Sequence, residues 1–308
     1  MEQTNHSEET INVKEILLKY YKYWYYFFLS LILCLIGAFL FNRYTTPIYS
    51  GSTTILIRDD SNASLGAENL LEGLELFSGK KNLKNEIGIL ESYDLISKTI
   101  QNLQFQTSYF HVGKIRTAEV YKNIPFNTII DSTKTQTLGI AFHVDILDNN
   151  AFELSAKAED VRQYIPFKKT YTEQTRVSFN YSGKHNFGET IEVNNFAFKI
   201  YKQPIFDESF IGKEFFFVFH DIDNLTKKRL KNLTVETINK EASIIKINSN
   251  GEVARKELDF LNQLANNYIQ LGLDEKNQMA ANTITFINQQ LKDISDSLLN
   301  TENRLENF

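Results

Sequence analysis

The sequence contains little cysteine, proline, methionine or tryptophan. Among its 308 residues are one cysteine, four prolines, two methionines and one tryptophan. The single cysteine, Cys34, excludes an intrachain disulfide, and a domain outside the cytosol needs none when its core is large enough. Four prolines are too few for long disordered linkers. A basic excess is also lacking, since the formal net charge is -5. This charge argues against nucleic acid as a partner, because nucleic-acid-binding proteins carry a basic face.

The sequence also lacks the short motifs of common catalytic sites. Four Gly-Lys pairs occur, but none is followed by Ser or Thr, as a phosphate-binding loop requires. The five histidines are scattered without metal-ligand spacing. The Gly-x-Ser-x-Gly elbow of many hydrolases is absent. The sequence therefore predicts no catalytic residue, no cofactor and no metal site within these 308 residues.

One acidic pattern is similar to the metal site of a glycosyltransferase. Asp221 and Asp223 follow the apolar strand Phe215–Phe219, and an Asp-x-Asp in that position holds a divalent cation and a sugar nucleotide in many such enzymes. These enzymes need a βαβ nucleotide-binding half upstream, where this chain shows only the strand period. We predict instead that both aspartates lie at the start of a helix over Leu225–Lys231. Binding of a sugar nucleotide with Mn²⁺ would distinguish the two readings.

The longest apolar run, Trp24–Phe41, carries no charge and has tyrosines and a tryptophan at its start. This length suffices to cross a bilayer as a helix, and interfacial aromatic residues are typical of such spans. A cleaved signal peptide is the alternative, but no small-residue cleavage site follows the run, and Leu33 before Cys34 disfavours a lipoprotein signal. We therefore predict a transmembrane helix over residues 24–41. Its predicted membrane-anchoring residues are Trp24, Phe28, Leu31, Leu35 and Phe39.

The charges beside this run predict its orientation. Lys14, Lys19 and Lys22 precede it, whereas Arg43 is followed by no further Lys or Arg until Arg58. The side with the excess of Lys and Arg faces the cytoplasm. We therefore expect residues 1–23 to be cytoplasmic and the bulk of the chain to lie outside the cytoplasm.

Two kinds of periodicity follow the apolar run. We predict a strand over Pro47–Arg58, then a helix over Asn82–Leu103 whose second half is capped by Ser92. From Gln106 to about Asp223 the period is two, which predicts an all-β insertion with a small sandwich or barrel. A pair of strands is predicted after the short helix Leu225–Lys231. The predicted strands of the insertion are 108–112, 126–130, 139–146, 152–156, 177–181, 190–193, 196–201 and 215–220, and the later pair is 233–237 and 243–248.

A long helix is predicted from Glu252 to the last residue, with Gly272 as a position that loosens it. Its first apolar row is Ala254, Leu258, Leu261, Ala265 and Tyr268. A second row alternates by three and four residues, as in a coiled coil, and has one polar member, Thr301. We call this row the seam: Ile284, Ile287, Leu291, Ile294, Leu298, Thr301, Leu305 and Phe308. An ordinary core-facing helix is the alternative. Because nothing caps the helix, we expect the chain to be a fragment cut inside it.

Three stretches carry a recognisable combination of apolar and polar positions. They are Asn85–Ser92 continuing to Leu103, Leu258–Leu264 followed by Tyr268-Ile269, and Phe286–Leu291 followed by Leu298 and Glu302. Together they resemble one family, the Wzz-type chain length determinants or polysaccharide co-polymerases, in the variety fused to a bacterial tyrosine autokinase (Wzc-like exopolysaccharide transport proteins). The resemblance covers nearly the whole chain through loose hydrophobic patterns. One departure is Gly251-Glu252, where the family often has proline at the start of the last helix.

The resemblance implies an α+β membrane protein with an N-terminal transmembrane helix, a periplasmic α/β domain carrying an all-β insertion, and a long C-terminal coiled-coil-like helix. The predicted parts are a cytoplasmic segment (1–23), the span (24–41), the Wzz-like α/β domain (45–105 and 224–275), the insertion (106–223) and the start of the coiled helix (276–308). A second span and a kinase with Walker motifs, which the family often has, are not in these residues.

The function implied is that of a bacterial inner-membrane scaffold. Such a protein forms a homo-oligomeric ring beside the polysaccharide polymerase and the outer-membrane exporter, and it regulates the length of the growing polysaccharide without catalysis. Its further partner is the lipid bilayer. Self-association is assigned to the seam. The alternative is a single-span periplasmic adaptor or glycan-binding module, which exposed aromatic residues of the insertion would favour. The candidates for that role are Tyr109, Phe110, Tyr121 and Phe126.

Overall fold

The computed structural model describes residues 21–57, 83–113, 116–193, 195–238 and 243–306. These residues form two compact units, one ending at Pro47 and one beginning at Ile48. Most of the predicted cytoplasmic segment, residues 1–20, lies outside the described residues.

The described part of the first unit forms a helix, α1, over Trp24–Tyr44. It ends at Thr45, whose backbone N–H and hydroxyl both donate to the carbonyl of Phe41 at 3.0 and 2.7 Å. The mean hydropathy of its apolar window is 2.2, and none of the window is buried. The predicted helix is therefore confirmed and extends to Tyr44. In the part of the chain that the structure describes, it is the one helix long and apolar enough to cross a membrane.

The second unit contains an α/β part, built around a three-stranded antiparallel sheet in the order β1-β13-β12. Helices of the described residues share a core with this sheet, and Ser92 caps the one over Tyr93–Asn102 by accepting the Leu95 N–H at 3.3 Å, as predicted. The elements are β1 (Tyr49–Leu56), α2 (Leu83–Leu90), α3 (Tyr93–Asn102), α4 (Ile222–Asn232), β12 (Leu233–Thr237), β13 (Ile244–Gly251) and α5 (Ala254–Glu306). The shared core includes Ile55, Leu90, Ile96, Ile100, Ile245, Ile247, Phe260, Leu261 and Leu264.

The intervening residues form a β-rich part, as the period of two predicted. Its elements are β2 (Thr107–Val112), β3 (Thr117–Val120), β4 (Phe126–Ile130), β5 (Gln136–Thr137), β6 (Ala141–Ile146), β7 (Ala151–Ile165), β8 (Thr170–Asn186), β9 (Thr190–Val193), β10 (Phe196–Lys202) and β11 (Glu214–Phe219). One sheet has the order β4-β10-β9, and the other has the order β3-β2-β11-β6-β7-β5 with β8 paired to β7. Phenylalanines from both sheets share one core, so the two sheets pack face to face.

The hairpin β7–β8 is much longer than predicted. The predicted strands 152–156 and 177–181 extend to Ala151–Ile165 and Thr170–Asn186. The added residues are largely polar, and the inward-facing Gln163 is buried through a hydrogen bond to Asn195 at 3.0 Å, so no apolar alternation marks this end of the hairpin. Cross-strand pairing, such as Tyr164 with Tyr171, holds them in register instead.

The first apolar row predicted for the long helix was only partly right. Ala254 and Leu258 are exposed, whereas Phe260, Leu261 and Leu264 are buried. The row failed because the buried face begins with two charged residues that a hydrophobic pattern passes over. The helix also continues through Gly272 without a break, so the predicted loosening was wrong.

Candidate self-association surface

The N-terminal half of α5 is packed against the α/β part. Phe260, Leu261 and Leu264 are at most 1% exposed. Gly51 of β1 allows the helix to approach, since a Cβ there would lie 3.3 Å from Cδ1 of Leu261. Burial of three large apolar side chains stabilises this contact by about 1.5–3 kcal/mol each. The start of α5 is therefore part of the core.

A buried ion pair holds the first turn of α5. Glu257 accepts a hydrogen bond from Arg229 of α4, and the two side chains are 3% and 13% exposed. Ser249 of β13 donates to the same carboxylate oxygen at 2.5 Å. The Arg229 guanidinium also lies 4.7 Å above the Phe260 ring. Because each charged group has a partner, this site joins helix α4, strand β13 and helix α5 without leaving a buried charge unpaired.

Further polar contacts connect α5 to the β-rich part. Lys256 pairs with Glu119 of β3, and burial lowers the pKa of the lysine. Asp259 accepts hydrogen bonds from Tyr121 at 2.9 Å and from Lys122 at 2.5 Å. Burial alone would raise the pKa of Asp259, but these two bonds outweigh it and lower that pKa. The β-rich part is thus fastened to the first two turns of the long helix.

The contacts continue for about two more turns. Asn267 donates to the hydroxyl of Thr99 at 2.9 Å and accepts from Asn102 at 3.1 Å. Tyr268 donates to Glu86 at 2.5 Å, and burial together with this carboxylate raises the pKa of the tyrosine. Up to Tyr268, α5 is therefore held by side chains of α2, α3, α4, β13 and the β-rich part.

His220 lies beside this group of charges, between β11 and α4. Burial and then the positive charge of Lys256 lower its pKa to about 4; Lys228 acts in the same direction and Glu119 in the opposite one. The imidazole is therefore neutral near neutral pH, which avoids a second positive charge next to the buried lysine.

We expect the stability of the chain to fall as the pH is lowered from 6.5, the ordinary value for histidine, toward about 4. In that window the unfolded chain binds a proton at His220 that the folded chain does not. The loss due to this residue is at most about 3 kcal/mol, from about 1.4 kcal/mol per pKa unit. Urea unfolding of the wild type and a His220→Gln variant, at both ends of this window, measures it. Equal pH dependence in the two proteins would contradict the prediction.

Beyond Gly272 the helix leaves the body, and its side chains are exposed up to the last ones described. The seam residues Ile284, Ile287, Leu291, Ile294 and Leu298 are 60%, 49%, 60%, 63% and 60% exposed. The side chain of Leu305 lies outside the described part. A soluble chain rarely exposes so regular an apolar row unless another element covers it. The alternative of packing within the described body is therefore excluded for these five residues.

The residues beside the first two heptads of the seam are uncharged. When Ile284 and Leu291 are placed at heptad position a, the flanking e and g positions through Ser297 carry only short polar side chains, whereas the next e and g positions are Glu302 and Arg304. Charges at e and g positions discriminate between partners, and like charges there oppose pairing of identical helices. From Ile284 to Leu298 the seam carries no such repulsion against a second copy of itself. The uncharged positions are Thr283, Asn288, Gln290, Ser295 and Ser297.

The predicted anchor residues share one face of α1 and are all more than half exposed. Trp24, Phe28, Leu31, Leu35 and Phe39 are 60%, 55%, 54%, 61% and 65% exposed. The other faces of the helix are equally apolar, with Phe27 and Leu33 at 83% and 72%. A helix that is apolar on all sides favours lipid over a single protein groove.

The aromatic residues suggested for glycan binding are mostly packed into the protein. Phe126 is fully buried. Tyr109 packs on the same core and donates to Asn127 at 2.6 Å. Tyr121 contacts the Phe105 ring edge-on, and Phe110 stacks on Phe216 with ring centroids 4.6 Å apart. Their packing partners account for these four positions without a ligand.

The two aspartates after β11 lie at the start of α4, as predicted from the sequence. Asp221 is the N-cap of α4 and accepts the Asp223 N–H at 3.3 Å. Asp223 in turn accepts a hydrogen bond from Tyr93, which raises the pKa of that tyrosine to about 12. Among the residues that the structure describes, no group of three His, Cys, Asp or Glu side chains is arranged to hold a metal ion.

Comparison with known proteins supports the resemblance. Residues 9–103 match the family model described as Wzz, chain length determinant protein. The whole chain aligns at 23% identity with a protein named tyrosine-protein kinase ptk from Acinetobacter johnsonii, and it spans 41% of that relative's length. The Wzz family is an inner-membrane family, and its domain is not catalytic. The resemblance is therefore confirmed over residues 9–103, which are similar to a Wzz chain length determinant domain.

Proposed function

We propose that this chain is an inner-membrane polysaccharide co-polymerase that oligomerises and regulates the chain length and export of an exopolysaccharide, capsule or O-antigen. In this proposal α1 spans the membrane with its N-terminal side in the cytoplasm, and residues from β1 onward are periplasmic. The domain organisation is the one predicted from the sequence. The polymerase, the outer-membrane exporter and the growing polysaccharide are its partners, and its role is to position them rather than to make bonds.

The observation that best supports the proposal is the exposed seam. It lies on α5, whose N-terminal part is packed against the α/β part and bonded to the β-rich part. From Gly272 to Glu306 the helix is about 50 Å long, at 1.5 Å per residue. Because the contacts up to Tyr268 fix its base, each copy holds its seam in a defined direction. Leucine at position a with isoleucine at position d favours assemblies larger than dimers in parallel coiled coils. A scaffold of several copies is what such an arm supports.

Similarity to a longer protein named a tyrosine-protein kinase supports one extension of the proposal. The scaffold would be coupled to a kinase of that type, and these 308 residues would supply its non-catalytic part.

We expect Ile294→Lys to disrupt assembly, because one buried lysine per copy would have to be desolvated at the centre of the seam. The matched control is Phe286→Lys on the same helix: Phe286 is 58% exposed, close to the 63% of Ile294, but lies off the seam. The native-mass distribution in detergent and the polymer length in cells are measured for both. The Ile294 variant should shift to single chains and lose control of polymer length, while the Phe286 variant keeps both. Normal assembly and normal polymer length in the Ile294 variant would reject the proposal.

A further inference from the structure

The hairpin β7–β8 extends past the ends of the central strands of its sheet. Phe219, the last residue of β11, is level with Ala158 of β7 in the strand register. β7 continues for seven residues beyond Ala158, to Ile165, with β8 along one edge and the two-residue strand β5 paired to Gln163 and Tyr164 along the other. Gln163 is buried and donates to Asn195 at 3.0 Å, so the part of the hairpin that projects freely is the turn after Ile165. It extends on the side of the sheet where Phe219 leads into the α/β part.

The tip is a well-defined turn on a packed stem. Pro166 to Lys168 form a single 3₁₀ turn, and Lys169 closes it in the left-handed region at φ 50°. Directly beneath, the rings of Tyr164 and Tyr171 meet edge-on at 5.2 Å. Burial and the nearby Asp221 carboxylate raise the pKa of both tyrosines. The tip therefore follows directly on a pair of packed tyrosine rings.

The side chains at the tip are an apolar ring and two positive charges. Phe167 is 87% exposed, more than any other large hydrophobic side chain in the described ranges. Lys168 and Lys169 are exposed beside it and form no ion pair with a described residue. Asp160, further down the hairpin, is paired with Arg176. The tip is thus locally basic, although the whole chain has a net charge of -5.

We propose that this tip, Phe167 with Lys168 and Lys169, docks on an anionic bilayer surface. An aromatic ring enters the boundary between headgroups and acyl chains, and lysine ammonium groups contact lipid phosphates. A single turn is too small for a stable protein–protein contact, which buries about 800 Å² on each partner. A bilayer needs no such area, and insertion of α1 holds the tip at a high effective concentration near it.

This inference rests on the insertion of α1, which is part of the proposed function, and the two can be tested separately. Trp24 is the only tryptophan in the chain and lies in α1. In the full chain reconstituted into vesicles with brominated acyl chains, quenching of Trp24 fluorescence reports the insertion of α1. A Trp24→Phe, Phe167→Trp variant moves the only tryptophan to the tip. A Trp24→Phe, Leu147→Trp variant is the matched control, because Leu147 is exposed at the opposite end of β7.

We expect the tip tryptophan to be quenched and blue-shifted in vesicles of phosphatidylcholine with phosphatidylglycerol, and the control tryptophan to remain unquenched. Adding Lys168→Gln and Lys169→Gln to the tip variant should lower the ratio of membrane-docked tips to undocked tips about 25-fold. Each lysine near an anionic surface contributes about fivefold to this ratio.

Three results would overturn the inference. One is an unquenched tip tryptophan while Trp24 is quenched. Another is equal quenching of the tip and control tryptophans. The third is a blue shift of the tip tryptophan without quenching, which would indicate a protein occupant such as a second copy. Loss of quenching at both the tip and Trp24 would overturn the membrane placement of α1 as well.

Discussion

Replacing Glu257 with alanine should lower the free energy of unfolding by about 3–5 kcal/mol, because it leaves a buried positive charge without its partner. Arg229 is 13% exposed and pairs with Glu257, which is 3% exposed. After the substitution the guanidinium would retain the weaker contact to Ser249 and the faces of Phe260 and Phe105, none of which carries a negative charge. Urea unfolding in detergent, followed by circular dichroism, measures the change.

Two comparisons distinguish destabilisation by an unpaired buried charge from destabilisation by a general loss of contacts. The exposed pair of Lys134 and Glu192 is about half exposed on both sides, and Glu192→Ala should cost about 0–1 kcal/mol. Combining Glu257→Leu with Arg229→Met should recover much of the loss, because it removes both charges together. A cost for Glu257→Ala no larger than that for Glu192→Ala would show that the pair does not fasten the long helix.

Replacing Phe142 with alanine should destabilise the β-rich part by about 3–5 kcal/mol, the usual cost of a large cavity in a core. This ring is fully buried between the two sheets. It stacks on Phe217 at 5.2 Å and meets Phe196 and Phe198 edge-on at 5.1 Å. Aromatic contacts of these kinds add about 0.5–1.5 kcal/mol per pair beyond the burial of area.

Phe167→Ala is the matched control in the same part of the chain. Its ring is 87% exposed, so its removal should change the free energy of unfolding by no more than about 0.5 kcal/mol. Urea unfolding followed by near-ultraviolet circular dichroism reports the aromatic core directly. Similar losses in the two variants would mean that the sheets do not pack through Phe142.

Local patterns predicted the elements whose signals lie within a few residues of one another. The bounds of Phe126–Ile130, Thr190–Val193 and Leu233–Thr237 agree with the structure, because β-branched and aromatic residues end there at turn signals. The Ser92 cap and the Asp221 cap were predicted because a cap depends on one side chain and its own backbone neighbours.

Features that depend on strand pairing or ion pairs between distant residues were not predicted from the sequence. The outer half of β7–β8 is held by strand register and not by an apolar face, so its residues carry no period of two that would reveal the strand. The buried face of α5 includes Lys256 and Glu257, which become acceptable in a core only because Glu119 and Arg229 arrive from elements far away in the chain.

The seam shows the same division within one helix. The sequence by itself determined its three-four spacing and the uncharged flanks of its first two heptads, because both follow from the residues along a single helix. Only the tertiary structure decided that Ile284 through Leu298 remain uncovered while Phe260 and Leu264 are buried. The physical reason is that the spacing of apolar residues along a helix identifies the side chains that are stabilised by burial. Whether they are buried within the chain depends on how far the sheet, the other helices and the β-rich part extend along that helix.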